Sequence, residues 1–155
     1  MRRKEREITD QDRIRAFVET EQIIRIAFYD DGDIYIVPVN YGFLYDGSYT
    51  FYFHGAKSGR KYELAQKEPK VGFEIDGNYL LLEGENACDY SAAFQSIIGI
   101  GRLSTVEDTE EKVKGLHAIM RQVTAQKEWE YEPKMLEAVA VFRLQAEHLS
   151  CKANL

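Results

Sequence analysis

The 155-residue sequence has little of what metal centres and disulfide frameworks require. Its two cysteines, Cys88 and Cys151, lie far apart and form no CxxC pair. Two cysteines are too few for a disulfide framework or a standard zinc site. The three histidines, at positions 54, 117 and 148, are scattered and show no metal-ligand spacing. We therefore expect no metal site.

Long apolar runs and nucleotide-binding signatures are also missing. No segment approaches the length that crosses a membrane, and the charged N-terminus has no signal-like apolar core, so we expect a cytoplasmic protein. There is no Walker motif and no strand-linked GxGxxG. The net charge of −6 disfavours general nucleic-acid binding, which needs an extended basic face.

The residues that are present predict one α+β domain over 1–155, mainly β. Hydrophobic residues make up 45% of the chain, enough for a core. We predict strands at 23–29, 34–43, 49–53, 71–75, 79–83, 96–104 and 138–144, and helices after Thr9 or Asp10, over 58–67, and after Asp108 or Thr109. Pro38 indicates an edge or a bulge in its strand. Hairpin turns between these strands favour an antiparallel barrel with flanking helices.

The most informative segment is residues 54–61, sequence HGAKSGRK, which follows an aromatic strand and opens a predicted helix. Backbone N–H groups at a helix start, with cations beside them, favour an anionic group, most often phosphate. Cations at a helix N-terminus oppose its dipole unless an anion offsets them. The alternative is a solvated turn before an ordinary cationic helix.

Three weaker features have open interpretations. Pro38 frees a neighbouring carbonyl that can bond a flat heterocycle, although a bulge at a barrel corner explains it as well. Ser96, Gly99 and Gly101 leave room for a ligand, or simply let the strand curve. Trp129, in a charged segment, can cover a cofactor, pack at a subunit interface or anchor a loop.

Several segments together resemble the pyridoxamine-phosphate-oxidase-like, FMN-binding split-barrel proteins, especially their nitroimidazole-resistance (Nim-like) branch. The matching segments are 1–9, 35–41, 53–61, 87–90, 96–101 and 142–144, in the family's order. The loop sequence HGAKSG is the most specific of them.

The resemblance implies a homodimer of antiparallel split β-barrels with FMN between the subunits. By position, the flavin ring would be lined by Pro38, Val39 and Asn40, with His54, Gly55 and Ala56 near the ring and ribityl chain. Lys57 and Lys61 would hold the phosphate, with Ser96 and Ile98 assisting from the adjoining strand. His54 is the first candidate for a proton donor or substrate contact. Trp129 would cover the flavin from the partner subunit.

The implied activity is an FMN-dependent oxidoreductase that passes electrons from a donor such as NAD(P)H to a small organic acceptor, a nitro-aromatic among them. One alternative is pyridoxamine-phosphate-oxidase chemistry, which needs a second cationic cluster; outside the loop, the basic group available is the N-terminal run Arg2, Arg3 and Lys4. Another is a protein that holds flavin or haem without turnover, and the last is a ligand-free dimeric module. Gln95 departs from the family pattern, which has a basic residue there in many members, so one phosphate contact is expected to be missing.

Overall fold

A computed structural model describes residues 3–124, 126 and 129–154. The helices are α1 (Gln11–Thr20), α2 (Arg60–Ala65), α3 (Thr109–Val123) and α4 (Pro133–Ala138), with a 3-10 turn at Lys4–Arg6. The strands are β1 (Glu7–Ile8), β2 (Ile23–Asp30), β3 (Asp33–Asn40), β4 (Gly42–Tyr45), β5 (Tyr49–Ala56), β6 (Lys70–Leu82), β7 (Ser91–Val106) and β8 (Val139–Asn154).

The two longer helices begin where the sequence predicts. The Asp10 carboxylate accepts from the backbone N–H groups of Asp12 and Arg13, and Asp108 caps α3 through Glu111. In α1 the buried residues Ile14, Phe17 and Val18 follow helical spacing. Neither these helices nor the others in the described part of the chain are long and apolar enough to span a membrane.

The strands form one antiparallel sheet in the order β3-β2-β6-β7-β8-β5-β4, with β1 paired to β8. This is the antiparallel split barrel with flanking helices that the sequence predicts. Pro38 lies on the edge strand β3, where its missing N–H breaks no internal ladder. Asp31 and Gly32, both with positive φ, make the β2–β3 turn as predicted.

Two apolar clusters lie on either side of the β5–β8 pair. The first fills the barrel and contains Phe51, Phe53 and Phe142 with most of the core. The second contains Tyr52 and Val141, packed under α3 with Leu116 and, at its edge, Leu136 of α4. Alternate residues of β5 and β8 therefore serve different cores, which decides where the candidate site residues point.

Several element predictions are wrong. The strand predicted at 34–43 is interrupted at Tyr41, since β3 ends at Asn40 and β4 starts at Gly42. At Gly42 the backbone of α3 lies directly against the strand. The hairpin predicted around residues 76–78 is a bulge within the continuous strand β6, with Asn78 at φ 56°.

Strand ends and one helix face also differ from the predictions. β7 extends beyond the predicted range 96–104 at both ends, and β8 extends beyond the predicted range 138–144 at its C-terminal end. The sequence did not predict α4 or β1. For α3 the sequence pattern predicts a face of Val113, Leu116, Met120 and Val123, but Val123 is exposed. The buried residues of the helix are Lys112, Gly115, Leu116, Ala118 and Ile119.

Candidate functional site

The loop between β5 and α2 turns at Gly59, which has a positive φ. Gly59 has φ 87° and precedes the first residue of α2, a conformation that disfavours any side chain. Its carbonyl accepts from the N–H of Glu63 at 3.0 Å, which closes the first turn. Buried Leu64 and Ala65 anchor this short helix to the barrel. These contacts therefore fix the start of α2, where Arg60 and Lys61 are the first two residues.

Lys61 is the cation whose position most resembles a ligand contact. Its ammonium lies 5.5 Å from the ring centre of Phe53 and 5.3 Å from that of Phe142. The side chain is half-buried, and burial lowers the pKa of Lys61 below its ordinary value. Among the described residues it forms no ion pair with a carboxylate.

Gly55 lies directly beside this ammonium. A Cβ at position 55 would stand 3.1 Å from Lys61 Nζ, so glycine keeps space next to the charge. Gly55 pairs with Ala140, and the neighbouring His54 pairs with Val141. His54 is exposed, while Ala56 ends the strand and is also exposed. Gly55 and the Lys61 ammonium therefore lie on the first-cluster side of the β5–β8 pair, whereas His54, like its pairing partner Val141, lies on the second-cluster side.

Arg60 is already engaged within the chain. Its Nε donates to Asp30 Oδ2 at 2.8 Å, and its guanidinium lies 4.8 Å from the ring centre of Tyr35. These contacts join the loop to the β2–β3 hairpin. The first residues of β3 therefore lie beside the loop, and Arg60 acts there as a structural tie.

Pro38, Val39 and Asn40 lie further along β3. Pro38 and Asn40 are exposed on one face, whereas Val39 is half-buried against the barrel core. The Asn40 amide donates to the Gln22 carbonyl at 3.1 Å, so its side chain already has a partner. Among the described residues, no side-chain hydrogen bond or ion pair joins Pro38, Val39 or Asn40 to the cations of the loop.

Ser96 and Ile98 are on β7, in the same sheet face as Pro38. Pro38 pairs with Arg25, Arg25 with Glu74, and Glu74 with Ile98, which places Pro38 and Ile98 in one row. Directly paired residues share a face, and three strand spacings separate these two by about 14 Å. Ser96 is half-buried and pairs with Asp76.

An ion-pair cluster crosses the middle of this row. The Arg25 guanidinium bonds Glu74 at 3.0 Å and also contacts Asp76. Burial, followed by the nearby Asp76, raises the pKa of the Glu74 carboxyl above its usual range, although the bond to Arg25 opposes that shift. A planar ligand on this face would therefore lie over a charged pair between Pro38 and Ile98.

Lys57 leaves the loop towards a different part of the molecule from Lys61. It lines a cavity of about 360 Å³ together with Lys112 of α3 and residues of α4, next to the second apolar cluster. Lys61, in contrast, contacts aromatic rings of the first cluster. The two lysines that the sequence places together as phosphate ligands therefore have separate surroundings.

Trp129 follows directly after positions 127 and 128, which lie outside the described residues. It is half-buried, and its buried indole N–H has no acceptor within the described ranges. The Tyr131 hydroxyl shares that condition. The role of Trp129 as a cover for the cofactor stays a prediction.

Sequence reasoning missed Lys112. The residue is only 6% exposed, and with Gly115, Leu116 and Ile119 it lies on the buried face of α3. A lysine at a stripe position of an amphipathic helix is unusual enough to have marked it. The predicted face, Val113, Leu116, Met120 and Val123, does not include Lys112.

Comparison with known proteins agrees with this fold. Residues 10–153 match the family profile described as pyridoxamine 5'-phosphate oxidase. No curated protein matches the sequence. A solved structure of a candidate 5-nitroimidazole antibiotic resistance protein from Bacteroides thetaiotaomicron has 27% identity and a TM-score of 0.81, over 95% of this chain and 86% of that one.

Two more distant structures share the fold. A flavocytochrome from Azotobacter vinelandii has 20% identity and a TM-score of 0.82, over 100% of this chain and 72% of that one. An FAD and haem binding protein from Mycobacterium smegmatis has 15% identity and a TM-score of 0.80, over 96% and 73%. Because the family profile spans nearly the whole sequence, this chain belongs to the pyridoxamine 5'-phosphate oxidase family.

Proposed function

We propose that the chain binds FMN and acts as an oxidoreductase, passing electrons from a reduced donor such as NAD(P)H to a small organic acceptor. Nitro-aromatic compounds are one acceptor class, suggested by the similar candidate nitroimidazole-resistance protein. Flavin binding by two proteins of the same fold supports the cofactor class. When bound, the flavin supplies the redox chemistry, and the protein binds and orients it.

The single observation that carries this proposal is the unpaired ammonium of Lys61. A half-buried cation without a carboxylate partner among the described residues is stabilised when an anion joins it. Gly55 leaves the space beside it open, since even a methyl group would reach 3.1 Å from the nitrogen. These residues fit a phosphate, so Lys61 is the main phosphate ligand in our proposal.

The other predicted site residues keep their proposed roles. Pro38, Val39 and Asn40 would contact the ring through the β3 backbone, because the Asn40 amide is already bonded to Gln22. Gly55 and Ala56 would lie along the ribityl chain, and Ser96 and Ile98 would assist the phosphate contact from β7, which β8 separates from β5. Lys57 is predicted as a second phosphate contact, and its own variant tests that role. His54 is exposed and is proposed as the proton donor or substrate contact.

A homodimer is part of the proposal, with the flavin at the subunit interface and Trp129 covering it from the partner. The supporting feature is the face that carries Pro38 and Ile98. Ile36, Ile98 and Ile100 are 59%, 55% and 38% exposed there. Clustered apolar side chains on a sheet face mark interaction surfaces. Light scattering should give twice the monomer mass, and a monomer at micromolar concentration would contradict this part.

The test of turnover is anaerobic mixing of the FMN-loaded protein with NADPH and, separately, with NADH. We expect loss of the oxidised flavin absorbance with at least one of them, followed by recovery when a nitro-aromatic acceptor is added. A protein that holds FMN but is reduced by neither nucleotide would favour the non-catalytic flavin-binding alternative.

A further inference from the structure

The cavity beside Lys57 has features that the proposed flavin site does not use. Residues of the β5–α2 loop, the start of α3 and α4 surround about 360 Å³, and the lining residues are Lys57, Glu107, Thr109, Lys112, Pro133, Leu136 and Glu137. Two lysines therefore belong to the lining of one cavity. Its volume suits a molecule of modest size.

Lys112 is the unusual member of this lining. The residue is 6% exposed, and within the described ranges its ammonium donates one hydrogen bond, to the Leu136 carbonyl at 3.4 Å. An ammonium has three N–H donors, so this long bond leaves donors unused. Burying a charge is costly unless it is paired and hydrogen-bonded.

No carboxylate compensates this charge in the part of the chain that is described. Neither Lys57 nor Lys112 forms an ion pair within 4 Å there, although Glu107 and Glu137 line the same cavity. Both lysines thus line one cavity, and neither ammonium has a carboxylate partner among the described residues. An oxyanion between them would satisfy both charges with charge-assisted hydrogen bonds.

We propose that this cavity, between the β5–α2 loop, α3 and α4, binds the oxyanion of a small molecule, a phosphate monoester or a carboxylate, through Lys57 and Lys112. The two glutamates at the cavity would disfavour large polyanions, so a singly or doubly charged group fits best. The Thr109 hydroxyl is a further polar group of the lining.

The cavity is separate from the proposed flavin phosphate contact. Lys61 lies against Phe53 and Phe142 of the first cluster, whereas Lys112 and Leu136 adjoin the second cluster on the other side of the β5–β8 pair. Apart from Lys57, the residues that line this cavity have no role in the proposed flavin site. A purely structural role for Lys112, capping the Leu136 carbonyl at the end of α4, is the contrasting explanation.

The test is calorimetric titration of the full-length protein, in a buffer without oxyanions, with inorganic phosphate and separately with succinate. We expect saturable binding of at least one probe, weakened about tenfold or more by Lys112→Met and by Lys57→Met. Lys114→Met, which removes an exposed lysine from the same helix, is the matched control and should bind as the wild type does.

Each outcome has a defined meaning. Phosphate binding alone identifies a phosphate ester as the ligand class, and succinate binding alone identifies a carboxylate. Wild-type binding of neither probe, or unchanged affinity in Lys57→Met, whose exposed position puts folding at no risk, overturns the proposal. Displacement of bound phosphate by one equivalent of FMN would also overturn it, because the cavity would then be part of the flavin site.

Discussion

Replacing Lys61 with alanine should weaken FMN binding by more than tenfold. The substitution removes the one half-buried loop cation that contacts no carboxylate within the described residues. A lost hydrogen bond to a charged group costs about 1.5–3 kcal/mol. That range corresponds to an increase in Kd of about 12- to 160-fold. No ion pair within the described chain is broken, although the contact of the ammonium with the Phe53 and Phe142 rings is lost as well.

The assay is titration of flavin-free protein into FMN, followed by quenching of flavin fluorescence at constant ionic strength. Lys67→Ala is the control, since Lys67 is exposed beyond the end of α2. Lys57→Ala should lose much less affinity than Lys61→Ala if its side chain stays in the other cavity. Wild-type FMN affinity in Lys61→Ala would refute the phosphate assignment.

The same titration has a pH signature. Burial lowers the pKa of Lys61, so in the free protein its charge is lost at a lower pH than that of an ordinary lysine. Above about pH 7 the phosphate is already mostly a dianion. FMN affinity should therefore fall as pH rises through the pKa of Lys61, and Lys61→Ala should lack that fall.

Three further variants test other parts of the account. His54→Ala should retain FMN but slow reduction of the acceptor, because the exposed imidazole is assigned to proton transfer or substrate contact; equal turnover in stopped-flow measurements would remove that role. Gly42→Ala should destabilise the fold by about 1–3 kcal/mol or more, because its Cβ would meet the Ala118 backbone at 2.1 Å, while Gly72→Ala, with 3.8 Å to its nearest neighbour, should change urea unfolding little. Glu21→Gln should raise the melting temperature at neutral pH. Burial, and secondly the charge of Asp76, raise the pKa of Glu21 above 4.5. Just above pH 4.5 the folded state therefore binds more protons than the unfolded chain, and stability falls there as pH rises. The variant should flatten that fall, and an unchanged pH profile of melting would count against it.

Features governed by local chemistry were predictable from the sequence. Asp10 and Asp108 accept backbone N–H groups at the helix starts, and Gly32 supplies the positive φ of a hairpin turn. The edge position of Pro38 follows from its missing donor. The HGAKSGRK loop was predictable as an unusual feature because three cations occur together without acidic partners in sequence.

Features that depend on contacts between residues far apart in sequence were not predictable from the sequence. The break at Tyr41 depends on α3 lying against Gly42, far away in sequence. Residues 76–78 have turn chemistry, yet the ladder resumes at Leu80 opposite Ala93, so they form a bulge. The extension of β8 alternates buried Cys151 and Ala153 with polar residues, a pattern hidden by weak strand formers.

In the candidate site, too, some features were predictable from the sequence and others depend on tertiary packing. Lys61 could be selected by its place in the loop, but its contact with Phe53 and Phe142 depends on how β5 pairs with β8. The separate direction of Lys57, and the burial of Lys112, depend on the packing of α3 and α4 over that pair. Sequence adjacency alone could not distinguish a shared phosphate site from two cation sites.

The central claim, that this chain binds FMN, is tested most directly by the absorption spectrum of protein purified without added ligand. We expect the two visible bands of an oxidised flavin, and FMN as the species released by heat. A colourless protein that also fails to bind added FMN would contradict the claim.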